Sequence, residues 1–261
     1  MHLTMNNKYY VDIERDGFNK DAYLQAFKFA LKVVKQNKDV NRIVCYVHTK
    51  GNIGYFEPFF DDNLIKNLLN GNRSVEPFPV PLTIETKSTY SKSRYSSTNR
   101  DLVLAFGMDL EDLEELDDYY GVKCIVAIPW LKDKTMPWVR RWNAEEITGK
   151  EEEKTDAGVS AVVKVALAEL TSSINMSTGI VNPFDNSRAK TYIRTLHKYE
   201  SELKAEAVVS YLITELGWTS AHANDVGKLI ATLNQGRFFR GGEKTGLQVH
   251  YKRWKEKANL K

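Results

Sequence analysis

The chain has 261 residues, of which 42% are hydrophobic and 27% are charged, and its formal net charge is +3 at pH 7. Such a composition is typical of soluble globular proteins, and the length allows one large α/β domain or two smaller domains. No apolar run approaches the roughly 18 residues of a membrane-spanning helix, and the first residues lack the apolar core of a secretory signal. We therefore expect a cytoplasmic protein without membrane contacts.

The two cysteines, Cys45 and Cys124, both fall inside predicted buried strands. Neither has a CxxC or histidine spacing that would indicate a metal ligand. They are expected to be reduced thiols in the core, and no metal site is predicted.

The chain opens with a strand, a helix and a second strand. Residues 9–14 are aromatic and β-branched, residues 21–36 carry apolar side chains at helical intervals, and residues 42–47 form another apolar run. These patterns predict a parallel strand pair joined by a right-handed crossover helix.

The middle of the chain is less regular. A polar, glycine-containing turn occupies residues 48–54, a helix is predicted at 61–69, and a third strand at 82–86. Residues 87–100 then contain seven Ser or Thr, four basic residues and no acidic residue. This composition predicts a mobile surface loop.

Residues 99–130 are the clearest βαβ unit. Nearly continuous apolar runs at 102–106 and 124–128 indicate strands that are buried on both faces of a parallel sheet. The helix between them is acidic, and its outer face is expected to repel polyanions. The acidic residues are Glu111, Asp112, Glu114, Glu115, Asp117 and Asp118.

These patterns predict two domains. Residues 1–148 are expected to form a Rossmann-like α/β domain, with a mostly parallel sheet of about five strands flanked by helices. A charged segment at 149–155 is the predicted linker, and residues 156–261 are expected to form a smaller all-helical domain. Residues 157–261 carry 15 Lys and Arg against nine Asp and Glu, and the excess is concentrated at the end. This asymmetry favours a polyanionic partner, unless it serves only solubility.

Ligands of open parallel sheets bind beyond the carboxyl ends of the strands. Side chains expected at these ends could supply an acid or base, and His48, Asp109 and Asp16 are the predicted catalytic candidates. A second set could hold a phosphate-bearing ligand through cations and a glycine turn, with Tyr90 and Tyr95 as stacking rings in the loop and Trp130 at the strand ends. This set is Lys50, Gly51, Lys87, Lys92, Arg94, Arg100 and Trp130.

Familiar nucleotide and hydrolase motifs are missing from the sequence. It contains no GxGxxG after the first strand, no GxxxxGK[ST], no GxSxG and no HExxH. The cofactor is therefore unknown from sequence.

In the second half, residues 204–215 and 220–233 have the spacing of a helix-turn-helix. The candidates for nucleic-acid contact are His222, Asn224, Lys228, Arg237, Arg240, Lys244 and Arg253. A plain helical bundle or a protein-interaction module would have the same pattern.

Two function classes follow. The first is a non-enzymatic binding protein that holds a phosphate or nucleotide ligand on its α/β domain and contacts nucleic acid or a protein through its basic helices. The second is a hydrolase of nucleotides or phosphodiesters, in which His48 and Asp109, or Asp16, share one pocket.

Overall fold

In the computed structural model of the chain, residues 7–93, 95–149 and 158–259 are described. The chain separates into two compact units, Met1–Lys154 and Thr155–Lys261, referred to below as the α/β unit and the helical unit. The predicted linker at 149–155 lies outside the described residues except for Gly149. Its role as the domain boundary stays a prediction.

The described part of the α/β unit contains a sheet of six parallel strands in the order β3-β2-β4-β5-β1-β6. The strands are β1 (Lys8–Tyr10), β2 (Arg42–Val47), β3 (Leu82–Thr86), β4 (Asp101–Phe106), β5 (Val122–Ile128) and β6 (Glu145–Glu146). The predicted α/β class is confirmed, and β2 and β3 have the predicted bounds. The sixth strand has only two residues and was not predicted.

Helices cover both faces of this sheet. They are α1 (Lys20–Gln36), a 3₁₀ helix (Lys50–Phe56), α2 (Asp62–Leu69), α3 (Lys87–Tyr90), a 3₁₀ turn (Ser91–Ser93), α4 (Leu110–Asp117) and α5 (Lys132–Trp142). Apolar residues of α1 and α2 pack on one face. Those of α3, α4 and α5 pack on the other face.

The connections that follow the neighbouring strands β2 and β4 lie on opposite faces of the sheet. After β2 the chain passes through α2 to β3, whereas after β4 it passes through α4 to β5, on the opposite face of the sheet. Neighbouring strands whose connections leave in opposite directions form a topological switch point, where ligands of open parallel sheets bind. We refer to the carboxyl edge of the sheet as the crest.

Three carboxylates of the acidic helix α4 are buried instead of facing solvent as predicted, whereas Glu111 is exposed. Asp112 and Glu114 are 4% and 6% exposed, and Asp117 is also enclosed. Asp112 pairs with Lys87, Glu114 pairs with Arg141, and Asp117 pairs with Lys8. Burial raises the pKa of Asp117, and the charge of Lys8 opposes that rise. A buried carboxylate needs such a partner, so these three ion pairs connect α4 to β1, α3 and α5.

The predicted mobile loop at 87–100 begins instead with helix α3. Tyr90 of this helix is 2% exposed and packs against the sheet. Its hydroxyl donates to Asp101 at 2.6 Å, and Asp101 also accepts from Nε and Nη2 of Arg42 at 2.8 and 2.6 Å. Composition alone missed this anchor because the burial of Tyr90 depends on its partners in the sheet and not on the content of its own segment.

The helical unit contains five described helices: α6 (Ala161–Ser173), α7 (Pro183–Tyr199), α8 (Ala205–Thr214), α9 (Ser220–Asn234) and α10 (Leu247–Asn259). Glu169 of α6 joins three of them, because it accepts from Tyr192 of α7 at 2.7 Å and from Lys257 of α10 at 2.9 Å. Within the described residues, no helix combines the length and the apolar character that crossing a membrane requires.

The network around Asp101 predicts a large stability effect. Asp101→Asn keeps the side-chain size but leaves the buried Arg42 guanidinium without the carboxylate that it pairs with. We expect the free energy of unfolding to fall by about 3–5 kcal/mol, measured by urea unfolding of the full chain.

The matched control is Asp39→Asn. Asp39 pairs with Arg100 at 3.5 Å, and both side chains are more than half exposed. This change should cost less than about 1 kcal/mol. Equal losses in the two variants would show that the buried pair has no special role.

Candidate functional site

An open pocket of about 470 Å³ lies at the crest. We refer to it as the crest pocket. Its walls come from the segments that follow β2 and β3 and from helix α4, which follows β4. The lining residues are His48, Thr49, Lys50, Thr86, Lys87, Ser88, Ser91 and Glu115. Three cations or potential cations and four hydroxyl groups therefore face one concave surface at the switch point.

Asp112 organises this pocket. Its Oδ2 lies 3.1 Å from Nδ1 of His48, and its Oδ1 accepts from Nζ of Lys87 at 2.6 Å. The backbone N–H of Asp112 donates to Oδ1 of Asp109, the N-cap of α4, which places Asp112 in the first helical turn. The partial positive charge of a helix N-terminus favours a carboxylate in this position.

Lys87 is the cation that the pocket holds most firmly. Its Nζ also lies 3.2 Å from Oε2 of Glu115. The hydrogen bond to Asp112 is the main cause that raises the pKa of Lys87, partial burial opposes it, and Glu115 adds to it. The lysine is thus kept protonated, and its ammonium group is fixed between two carboxylates.

The predicted catalytic residues are dispersed. His48 lines the crest pocket, but Asp109 and Asp16 are not among its lining residues. Asp109 caps α4, and Oδ1 of Asp16 accepts from the backbone N–H of Lys132 at 2.9 Å. Asp16 follows β1, which is separated from β2 by two strands. The carboxylate that contacts His48 is Asp112, one helical turn beyond the predicted Asp109.

The predicted ligand-binding residues divide into two groups. Lys50 and Lys87 line the crest pocket, and Gly51 follows directly in the 3₁₀ helix. Lys92 is exposed in the 3₁₀ turn after α3. Arg94 lies outside the described residues.

Arg100 is at the wrong edge of the sheet for a crest ligand. It precedes β4, whereas the crest pocket lies beyond the carboxyl ends of the strands, and its guanidinium reaches Asp39. A strand of this length separates the two edges by roughly 20 Å. The prediction treated residues 87–100 as one loop, whereas Lys87 follows β3 and Arg100 precedes β4, at opposite edges of the sheet.

Trp130 lies over the end of β4. A Cβ atom on Gly107, which directly follows β4, would come 2.3 Å from the indole ring, so only glycine fits there. The indole Nε1 donates to the hydroxyl of Tyr23 at 3.1 Å, and the ring lies 4.7 Å from that of Tyr55. Phe18 stacks on Tyr55 at 5.2 Å, and these two rings are 41% and 38% exposed. We refer to Phe18, Tyr55 and Trp130 as the aromatic cluster.

Sequence reasoning missed Asp112, Glu115 and Tyr55. The spacing of Asp112, three residues after a capping aspartate, was a usable signal, because this position points toward the helix start and hence toward the crest. Tyr55 carried no signal, since its neighbours come from distant parts of the chain. Within the described residues, no group of three or more His, Cys, Asp and Glu side chains is arranged to hold a metal ion.

The predicted nucleic-acid residues are spread over the helical unit. His222 is packed against Gly179, Asn224 is half-buried, Lys228 pairs with Asp225 at 2.9 Å, and Arg253 pairs with Glu169. The other three lie on the connection between α9 and α10, where all are exposed. They are Arg237, Arg240 and Lys244.

The Asp112 contact predicts the reactivity of Lys87. Lysine acylation requires the neutral amine, so at about pH 9, below the usual lysine pKa of about 10.4, Lys87 should react slowly with acetic anhydride. Asp112→Asn removes the main cause of the raised pKa. We expect Lys87 acetylation to become several-fold faster, measured by mass spectrometry of peptides, while Lys50 serves as the internal control. An unchanged rate ratio between the two lysines would contradict the described contact.

Comparison with known proteins adds a family match for the helical unit. Residues 159–255 match the model of a family described as a domain of unknown function, DUF1889. The match begins just before α6, ends within α10 and includes no residue of the described α/β unit. No curated protein and no solved structure matches the chain.

Proposed function

We propose that the α/β unit binds a phosphate-bearing ligand in the crest pocket. The observation that carries this proposal is the convergence of Lys50, Lys87 and His48 with four hydroxyl groups at the switch point of a parallel sheet. Hydroxyl and ammonium groups are the donors that commonly hold phosphate oxygens.

The two carboxylates of the pocket have a supporting role in this proposal. Both oxygens of Asp112 are engaged by His48 and Lys87, and Glu115 also contacts Lys87. Lys50 is different, because it forms no ion pair within the described residues and is exposed. It is therefore the cation that we expect to contact the ligand most directly.

The aromatic cluster supports a nucleotide as the ligand. Val47 of β2 is paired with Phe106 of β4, so the residues after them, His48 and Gly107, leave adjacent strands side by side. Trp130 covers Gly107 and contacts Tyr55. A ligand that extends from the crest pocket across the end of β4 would bring a base to these rings, where stacking is favourable.

Binding of nucleotides and of inorganic pyrophosphate to the full chain, measured by calorimetry, tests this proposal. Lys50→Ala should weaken the binding of both ligands by roughly 10- to 150-fold, since a charge-assisted hydrogen bond contributes roughly 1.5–3 kcal/mol. Tyr55→Ala should weaken nucleotides only. Lys38→Ala, which removes an exposed charge just before β2 at the opposite edge, should change neither affinity. The absence of binding to both ligands would refute the proposal.

A hydrolase is the second candidate, and the contact between His48 and Asp112 favours it. This contact occupies Nδ1 and fixes the ring, while the His48 side chain remains 55% exposed. Nε2 could then accept a proton from a water molecule as its oxygen attacks phosphorus and the leaving oxygen departs. The substrates would be nucleotides or phosphodiesters.

Phosphate release from nucleotides and nitrophenol release from bis(p-nitrophenyl) phosphate test the hydrolase. His48→Ala should lower kcat at least about 100-fold if the imidazole is a general base. His197→Ala, in α7 of the helical unit, is the matched control. If the wild-type chain binds nucleotide but releases no product, the hydrolase is excluded and the binding function stands.

For the helical unit we propose contact with nucleic acid, with a protein partner as the alternative. The support is the charge excess of residues 157–261 and the grouping of Arg237, Arg240 and Lys244 on one exposed connection. Affinity for an oligonucleotide should therefore fall steeply as salt is added.

A further inference from the structure

The connection between α9 and α10, residues 235–246, is fixed to helix α7 by one arginine. Nη1 of Arg194 donates to the carbonyl of Glu243 at 2.6 Å, and Nη2 donates to the carbonyl of Gly241 at 3.0 Å. The guanidinium also lies 4.9 Å from the ring centre of Phe239. We refer to residues 235–246 as the pinned loop.

Two glycines let the pinned loop approach α7 closely. Gly241 and Gly242 have φ angles of +84° and +70°, which favour glycine. A Cβ atom on Gly242 would lie 2.9 Å from Cβ of Lys190 and from the backbone N of Thr191. The hydroxyl of Thr191 also accepts from the backbone N–H of Glu243 at 2.8 Å. The loop thus has a defined conformation rather than a solvated, variable one.

The pinned loop presents an exposed aromatic ring among cations. Phe238 is 89% exposed, and Arg237, Arg240 and Lys244 are exposed in the same loop. Within the described residues, none of the three cations forms an ion pair, whereas the one acidic residue of the loop, Glu243, faces His250 at 3.2 Å. A fixed loop that leaves a whole phenyl ring in water has surface available for a planar, anionic partner.

We propose that the pinned loop binds single-stranded nucleic acid. A base stacks on Phe238, and the adjacent phosphates pair with Arg237, Arg240 and Lys244. This proposal rests on the proposed nucleic-acid contact of the helical unit and specifies its mode. In a duplex, the faces of the bases are covered by their neighbours, so stacking on Phe238 would first require two base pairs to be separated or a base to be taken out of the helix, a cost that a single strand avoids.

The contacts of Arg194 matter for affinity. Ordering a flexible loop on binding costs conformational entropy, and a loop that is already ordered avoids much of that cost. Arg194 is therefore a positioning residue, because its guanidinium is engaged by loop carbonyls. Helix α9, the second helix of the predicted helix-turn-helix, has fewer side chains available to contact nucleic acid, because His222 is packed against Gly179 and Lys228 pairs with Asp225.

Fluorescence anisotropy of the full chain with a labelled oligothymidylate, and with a duplex of the same length, tests the proposal. We expect tighter binding to the single strand. Phe238→Ala should weaken that binding by about ten-fold, the effect of losing one base stack. The matched control is Phe184→Ala, since Phe184 is 83% exposed in the same unit but its neighbouring charges, Asp185 and Arg188, pair with each other. It should leave the affinity unchanged.

The double variant Arg240→Ala, Lys244→Ala tests the phosphate contacts. Each contact with a single strand contributes about 0.7 to the slope of log affinity against log salt, so the slope should fall by about 1.4. If Phe238→Ala behaves as Phe184→Ala does, or if the duplex binds as tightly as the single strand, the single-strand mode is wrong and the broader nucleic-acid contact survives. If neither nucleic acid binds in a salt-dependent way, both proposals are wrong.

Discussion

The buried carboxylate of Asp112 is the interaction on which the crest depends. An anion that is almost fully removed from water has to be compensated by charge or hydrogen bonds, and here the compensation comes from Lys87 after β3 and from His48 after β2. Helix α4, which carries Asp112, follows β4. One side chain therefore ties together the ends of three adjacent strands, and the geometry of the crest pocket follows from that tie.

The same principle extends along α4. Glu114 and Asp117 of the same helix are also buried. Glu114 pairs with Arg141 of α5, and Asp117 pairs with Lys8 of β1. Trp138 of α5 also donates its indole N–H to Asp117 at 2.8 Å. The helix thus packs through ion pairs as well as through its leucines. Buried pairs of this kind add little net stability over apolar packing, but they tolerate the loss of one partner poorly.

The amino-acid pattern predicted the sheet well because buried parallel strands are nearly continuous apolar runs, and β2, β4 and β5 all have this character. It could not predict the strand order, which depends on neighbours that are distant in sequence. Nor could it predict that three carboxylates of α4 are buried. Aspartate and glutamate are usually exposed. These three of α4 are buried because they pair with Lys8, Lys87 and Arg141, which lie in three other segments of the chain.

The candidate site was predicted in part for the same reason. The rule that ligands bind at the carboxyl ends of parallel strands selected His48, Lys50 and Lys87, and all three line the crest pocket. It selected Asp16 as well, because without strand order every strand end is equivalent. The helix pair α8 and α9 shows a similar limit. Gly227 of α9 faces Val209 of α8, where a Cβ atom would lie only 2.6 Å from a methyl group. The close packing of these two helices explains the glycine, whereas the helix-turn-helix spacing does not.

The position of β1 has a consequence for how the chain acquires its fold during synthesis. β1 is translated before β2, β3, β4 and β5, yet Tyr9 pairs with Val126 of β5 on one side and with Glu145 of β6 on the other. The strand has no partner until nearly the whole α/β unit has been translated. Strands β2, β3 and β4 can associate earlier, whereas closure around β1 is a late, long-range event of the kind that slows folding.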